Sequence, residues 1–180
     1  MKIAVQDIKE VPQTASYGEP VEHLNTLLQH GAADYHAIGP VNVTVSYYRA
    51  GMDVFLDGDL RVDLRGSCSR CLTDYPLSLA REFSLVLAPE SELGPGDDDG
   101  ELADDDLALS YYAGEEIDLA PLVEEQVILG LPTRPLCRTE CRGLCPHCGA
   151  PLNDGDCGCT VVTHDPRLAI LRNLKVSDLK

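Results

Sequence analysis

Eight cysteines fall into three tight groups in this chain: Cys68-x2-Cys71, then Cys137-x3-Cys141-x3-Cys145-x2-Cys148, then Cys157-x-Cys159. No other feature constrains the fold as strongly, because closely spaced thiols demand turns that bring their sulfurs to one point. The chain opens on Met1-Lys2-Ile3-Ala4-Val5-Gln6-Asp7, which turns polar too soon for a secretory signal core. No run approaches the roughly 18 apolar residues of a membrane span. A soluble, cytoplasmic protein is therefore expected. In that reducing setting clustered cysteines are metal ligands or redox groups more often than disulfides.

A Cys-x2-Cys turn points two thiolates at one ion, and two such pairs make a tetrahedral site. Cys145-Pro146-His147-Cys148-Gly149 is the strongest element, with Gly149 easing the turn after the second thiolate. Cys157 and Cys159 can close this site, giving a zinc-ribbon-like module. Cys68, Cys71, Cys137 and Cys141 make a second set by count. A metal shared by these four would clip the C-terminal module to a turn between two strands. The loop it closes exceeds 60 residues, where a cross-link constrains the unfolded chain most. Two other partitions compete: one metal only, or Cys141 joined with Cys145 and Cys148. Zinc is the expected ion, two per chain and at least one, because it is redox-inert and accepts four thiolates. Iron fits the same donors.

Catalysis finds little support. Cys68-Ser69-Arg70-Cys71 lacks the strand-then-helix setting of a thioredoxin-like pair. A saturated four-thiolate site leaves no open position for water or substrate. The chain has no Gly-x-Ser-x-Gly, no phosphate loop and no His-Glu-x-x-His. A metal-dependent or thiol-redox enzyme is thus the third reading, and no small-molecule substrate is implied. Glu124-Glu125 reads as a pair of solvated helix charges.

The rest of the chain reads as α+β: an antiparallel meander sheet packed by one or two helices, followed by the Cys-rich module. Val41, Val43, Val45 and Tyr47 alternate with Asn42, Thr44 and Ser46. Val54, Leu56, Leu60, Val62 and Leu64 alternate with charged residues, and Leu77, Leu79, Phe83, Leu85 and Leu87 form a third period-two run. Gly58 suggests a bulge or bend. A first strand is expected over 2–8 and a short helix over 20–29, with Val21, Leu24, Leu27 and Leu28 apolar. A strand is expected over 107–112. Asp118 caps a helix to about Gly130 with Leu119, Leu122, Val123, Val127 and Leu131 inward. Asp165-Pro166 starts a last short helix. The expected domains are 1–133 and 134–180.

Charge is concentrated in one stretch. The formal net charge is −16, yet residues 82–133 contain no Lys or Arg and 15 Asp+Glu. Within it, residues 89–106 combine Gly, Pro and nine acidic residues, too little to bury, and read as a mobile loop. Residues 134–180 are slightly basic, with Arg134, Arg138, Arg142, Arg167, Arg172 and Lys175 on or beside the cysteine module.

Three segments together resemble the YceD family of large ribosomal RNA accumulation proteins. They are Gly66-Ser67-Cys68-Ser69-Arg70-Cys71-Leu72, the helix around Leu122 to Pro132, and Cys141-Arg142-Gly143-Leu144-Cys145-Pro146-His147-Cys148-Gly149. The terminal Asp165-Pro166-Arg167…Leu171 fits as well. The resemblance implies a role in ribosome assembly or in accumulation or maturation of the large-subunit 23S rRNA. It supplies no catalytic residue. Two modes of action follow. An acidic surface attracts basic chains and repels the RNA backbone, so one partner class is a basic ribosomal protein or a pre-50S particle. The alternative is a direct RNA-binding zinc module, with the six basic residues named above contacting rRNA.

Overall fold

The computed structural model describes residues 1–32, 34–90 and 109–159. Along the chain these form β1 (Lys2–Ala4), a 3-10 turn (Val5–Asp7), β2 (Gln13–Glu19), α1 (Glu22–Gly31), β3 (Tyr35–Ala37), β4 (Val41–Ala50), β5 (Asp53–Ser67), β6 (Asp74–Pro89), β7 (Leu109–Tyr112), β8 (Glu116–Asp118) and α2 (Leu119–Gly130). The chain divides into two compact units. One is Met1–Ser69 with Thr73–Cys137; the other is Arg70–Leu72 with Arg138–Lys180.

In the larger unit the three alternating runs are the spine of the sheet. β4, β5 and β6 pair antiparallel in sequence order. The β5–β6 ladder runs from Val54↔Leu87 to Ser67↔Asp74, roughly 45 Å at about 3.4 Å per residue. β2 adds to the free side of β4, and β3 pairs with β5 beyond the end of β4. β7 joins the far edge in parallel, with Val86 beside Leu109 and Pro89 beside Tyr112. This parallel strand, in the stretch where a strand is expected, adds to the antiparallel meander of the three runs. Pro89, expected to open the acidic loop, is instead the last residue of β6. Residues 91–108 and the helix expected from Asp165 lie outside the described residues.

Period two divides the sheet into faces. Val41, Val43 and Val45 of β4 and Val54, Leu56, Leu60, Val62 and Leu64 of β5 are buried on one side. Asp57, Asp59, Arg61, Asp63 and Arg65 point to the other. Gly58 creates no bulge, since Val45 and Phe83 face it in an unbroken register. The glycine is needed for space. A Cβ there would stand 2.8 and 2.9 Å from Cε1 and Cε2 of the buried Phe83 ring and closer still to Cζ.

The helices close the buried face. In α2 Leu119, Val123 and Val127 are buried, with Leu122 and Leu131 packed against the core, as the spacing requires. Asp118 caps the helix, its carboxylate accepting from the Ala120 N–H at 3.1 Å. Glu124 is not a solvated helix charge. It is 4% exposed, and both its oxygens lie 2.8–2.9 Å from Nδ1 of His23 on α1. Gln126 is also buried, accepting from Arg81 Nε. On α1 only Leu24 and Leu28 are buried, while Leu27 is exposed. Asn25 ties α1 to β3: its amide donates to the Ala37 carbonyl at 3.1 Å and accepts the Ala37 N–H at 2.8 Å. β1 pairs with β8 in a separate small ladder, and β1 stops at Ala4.

Candidate metal centre

The first cysteine pair sits where the β5–β6 ladder ends. Ser67 Oγ donates to Asp74 at 2.6 Å, closing the last pair of the ladder. The Cys68 N–H donates to the Thr73 carbonyl at 3.0 Å. Ser69 donates twice to the Pro135 carbonyl, from its N–H at 2.9 Å and its hydroxyl at 3.0 Å. Tyr35 donates to the Pro132 carbonyl at 2.6 Å, anchoring the same stretch. These bonds fix the chain at Cys68 and at Pro132 and Pro135, shortly before Cys137.

The smaller unit holds its cysteines by turns. Arg70 donates from its guanidinium to the Cys141 carbonyl at 2.8 Å. Gly143, at φ +76°, passes so close that a Cβ would meet the Arg70 carbonyl at 3.0 Å. Leu144 bridges Pro151, the Cys145 N–H donates to Ala150 O at 2.8 Å, and the Gly149 N–H returns to Cys145 O at 2.9 Å. Gly149 and Gly158 both take φ +74°, the left-handed conformation that lets the chain turn beside a thiol at little cost. Leu72, which follows Cys71, takes φ +59° without that freedom and is 70% exposed.

These turns gather the sulfurs into two groups of four: Cys68, Cys71, Cys137 and Cys141, and Cys145, Cys148, Cys157 and Cys159. Within each group the atoms lie within 4.8 Å of one another. A tetrahedron of thiolates at about 2.3 Å from zinc has edges of about 3.8 Å, which lies inside that limit, so either group is compatible with a metal. Two cysteine clusters can therefore hold metal ions. They differ in exposure. Cys68, Cys71 and Cys141 are buried, whereas Cys148, Cys157 and Cys159 are exposed. The backbone N–H groups of Cys148 and His147 lower the Cys145 thiol to about 6, favouring the charged form that a metal binds. Hydrogen bonding to Cys148, then to Cys157, pushes the Cys159 thiol up to about 12. Four crowded sulfurs resist joint ionisation, and a cation removes that resistance.

Sequence spacing missed one contributor. Asn153 donates from Nδ2 to Cys141 Sγ at 3.3 Å, and its Oδ1 accepts the Arg142 N–H at 2.9 Å. Such outer partners orient ligands and tune their basicity. An asparagine twelve residues from the cysteine it serves carries no spacing signal. His147 contributes its backbone N–H to Cys145 Sγ at 3.5 Å. Among the expected RNA-contacting residues, Arg134 and Arg138 are exposed and Arg142 is committed to an ion pair with Asp156. Arg167, Arg172 and Lys175 lie outside the described residues.

Residues 56–175 match the family model described as Large ribosomal RNA subunit accumulation protein YceD. The chain belongs to the YceD family. Among its relatives is the Arabidopsis thaliana "Large ribosomal RNA subunit accumulation protein YCED homolog 1, chloroplastic", 29% identical over 162 residues, 79% of this chain and 50% of the relative. An uncharacterised Mycobacterium tuberculosis protein is 30% identical over 125 residues, 67% of this chain and 55% of its own. The uncharacterised YlbN of Bacillus subtilis is 28% identical over 185 residues, 99% of this chain and 98% of its own. The chain spans about half the length of the first two relatives. No solved structure matches. Among the described residues no helix of this YceD protein is long and apolar enough to cross a membrane.

Proposed function

We propose that this YceD protein is a non-enzymatic, cytoplasmic ribosome-assembly factor that supports accumulation of large-subunit (23S) rRNA. The observation that carries this reading is the family match over 56–175, together with relatives named for large ribosomal RNA accumulation. Both cysteine groups hold zinc in this reading. Each supplies four thiolates, a complete tetrahedral set with no position left for substrate, so the metal serves folding. The partner is a basic ribosomal protein or a pre-50S particle carrying one. Residues 82–133, with 15 acidic and no basic side chains, favour cationic partners over phosphate. Direct RNA contact through the arginines is the second reading; Arg134 and Arg138 are exposed, and Arg142 shares only a solvent-exposed pair with Asp156.

The test is depletion in the source organism, followed by gradient sedimentation and rRNA quantification. Large-subunit rRNA should fall relative to small-subunit rRNA, and the wild-type chain should restore it. An unchanged ratio would overturn the proposal.

A further inference from the structure

Among the described residues, nothing covers the outer face of the sheet. Its central strands β5 and β6 present Asp57, Asp59, Arg61 and Asp63 beside Ser78, Ala80, Glu82 and Ser84, and all eight are exposed. Exposure in the middle of a sheet, rather than at its rim, means that no described element lies over this side. The flanking side chains from β2 and β4, such as Thr14, Thr44 and Ser46, are short, and the face is concave. It holds a shallow, open depression of about 880 Å³, continued by a second of about 340 Å³ that shares Arg61 and Ala80 with it.

The charges in this trough are arranged at a cost to the free protein. Asp59 and Glu82 stand directly opposite each other on adjacent strands, a placement in which like charges repel. Asp57 and Asp63 each accept a serine hydroxyl, from Ser84 and Ser78, both at 2.7 Å. Asp59 and Glu82 accept no hydrogen bond and make no ion pair among the described residues. Asp57, Asp59 and Asp63 stand at even steps along β5, about 6.7 Å per two residues. An extended peptide projects alternate side chains toward one surface at that same spacing.

We propose that this trough is the docking surface for an extended segment of a protein partner with Lys or Arg at alternate positions, one cation seating between Asp59 and Glu82. The proposal rests on the basic-partner reading above and gives it a location. RNA is disfavoured on the same face, because four carboxylates confront its phosphates against Arg61 and Arg65.

The test uses the full, zinc-loaded chain and a fluorescent nonapeptide of alternating Arg and Ser, followed by anisotropy at several salt concentrations. Two variants are compared with wild type. One is Asp59→Asn with Glu82→Gln. The other replaces Asp97, Asp98, Asp99, Asp104, Asp105 and Asp106 by Asn. The trough variant should bind about tenfold more weakly, while its thermal midpoint stays unchanged or rises. The second variant should stay within about threefold of wild type if the trough carboxylates, rather than the overall negative charge, hold the peptide. If the trough variant binds like wild type, or the second variant loses as much, the trough is not the site and the basic-partner reading survives. If wild type ignores the peptide at low salt, both readings fall. A single-stranded RNA probe that wild type prefers and the trough variant loses would overturn the choice of a peptide.

Discussion

Gly58→Ala probes the middle of the sheet through one methyl group. The new Cβ would press on the edge of the Phe83 ring, 2.8 and 2.9 Å from two of its carbons and closer to a third. Phe83 is buried and lines a small apolar void with Leu56, Leu122 and Val123, so any shift of the ring is taken up inside the core. Overpacking of this kind costs about 1–3 kcal/mol. Against it stands a gain of roughly 0.5–1 kcal/mol from replacing a strand glycine. The net expectation is destabilisation by about 1–2 kcal/mol. Urea unfolding at fixed zinc should show it as a lower midpoint with an unchanged slope. The decisive measurement is a double-mutant cycle with Phe83→Leu. Alone, Phe83→Leu should destabilise by removing packing. Combined with Gly58→Ala it leaves room for the methyl, so the double variant should be about 1–2 kcal/mol more stable than the sum of the single changes. Additivity, or a Gly58→Ala protein as stable as wild type, would refute the account of why glycine occupies this position.

Elemental analysis of protein purified without chelator should find two zinc per chain, and a chelator should empty the exposed Cys145, Cys148, Cys157 and Cys159 site before the buried one; simultaneous release would contradict the exposure argument. Hydrogen exchange during chelation should show the segment from Cys137 onward opening before the sheet, because ligation energy is folding energy in small metal modules. Asn153→Asp exchanges the N–H donor at Cys141 for a carboxylate and should weaken metal retention there by about 10–100-fold, read by competition with a chromogenic chelator. Tyr17→Phe removes a buried hydroxyl that has no partner among the described residues; it should leave stability unchanged or raise it by about 1 kcal/mol, whereas a loss above that would mean the hydroxyl is bonded. Asn25→Ala strands the Ala37 N–H and carbonyl at the α1–β3 contact and should cost about 1–3 kcal/mol in thermal unfolding.

The parts legible in the sequence are those where burial writes a period. β4, β5 and β6 alternate because one face of each is dry, and α2 shows its stripe because it lies on that face. β2 was not legible. Its inward residues, Ala15 and Tyr17, are few, and Gln13-Thr14-Ala15-Ser16-Tyr17-Gly18-Glu19 shows no run of β-branched residues. β4 recruits it through backbone pairing, which leaves no side-chain signature. β3 and β8 are three residues each, too short for any period to register. Glu124 was misread because its partner, His23, lies 101 residues away, and a buried carboxylate resembles a solvated one until the partner is placed. At the metal centre, spacing identified the eight thiols. It also favoured the two groups of four that the structure forms, while leaving a rival partition open because Cys141 is equally near in sequence to Cys137 and Cys145.

Because β6 and β7 run parallel, the chain leaves the sheet at Pro89 and rejoins it beside Val86. By strand spacing its exit and return are roughly 11 Å apart, but parallel neighbours need a returning connection of about a dozen residues or more, and the numbering places residues 90–108 between them. Lengthening such a connection costs only about 0.6 kcal/mol per doubling. Four pairs, from Val86 beside Leu109 to Pro89 beside Tyr112, hold β7 to the sheet. Because closure cost grows so slowly with length, an affinity handle inserted in the connection should leave those pairs formed and so report on the molecule in its folded state.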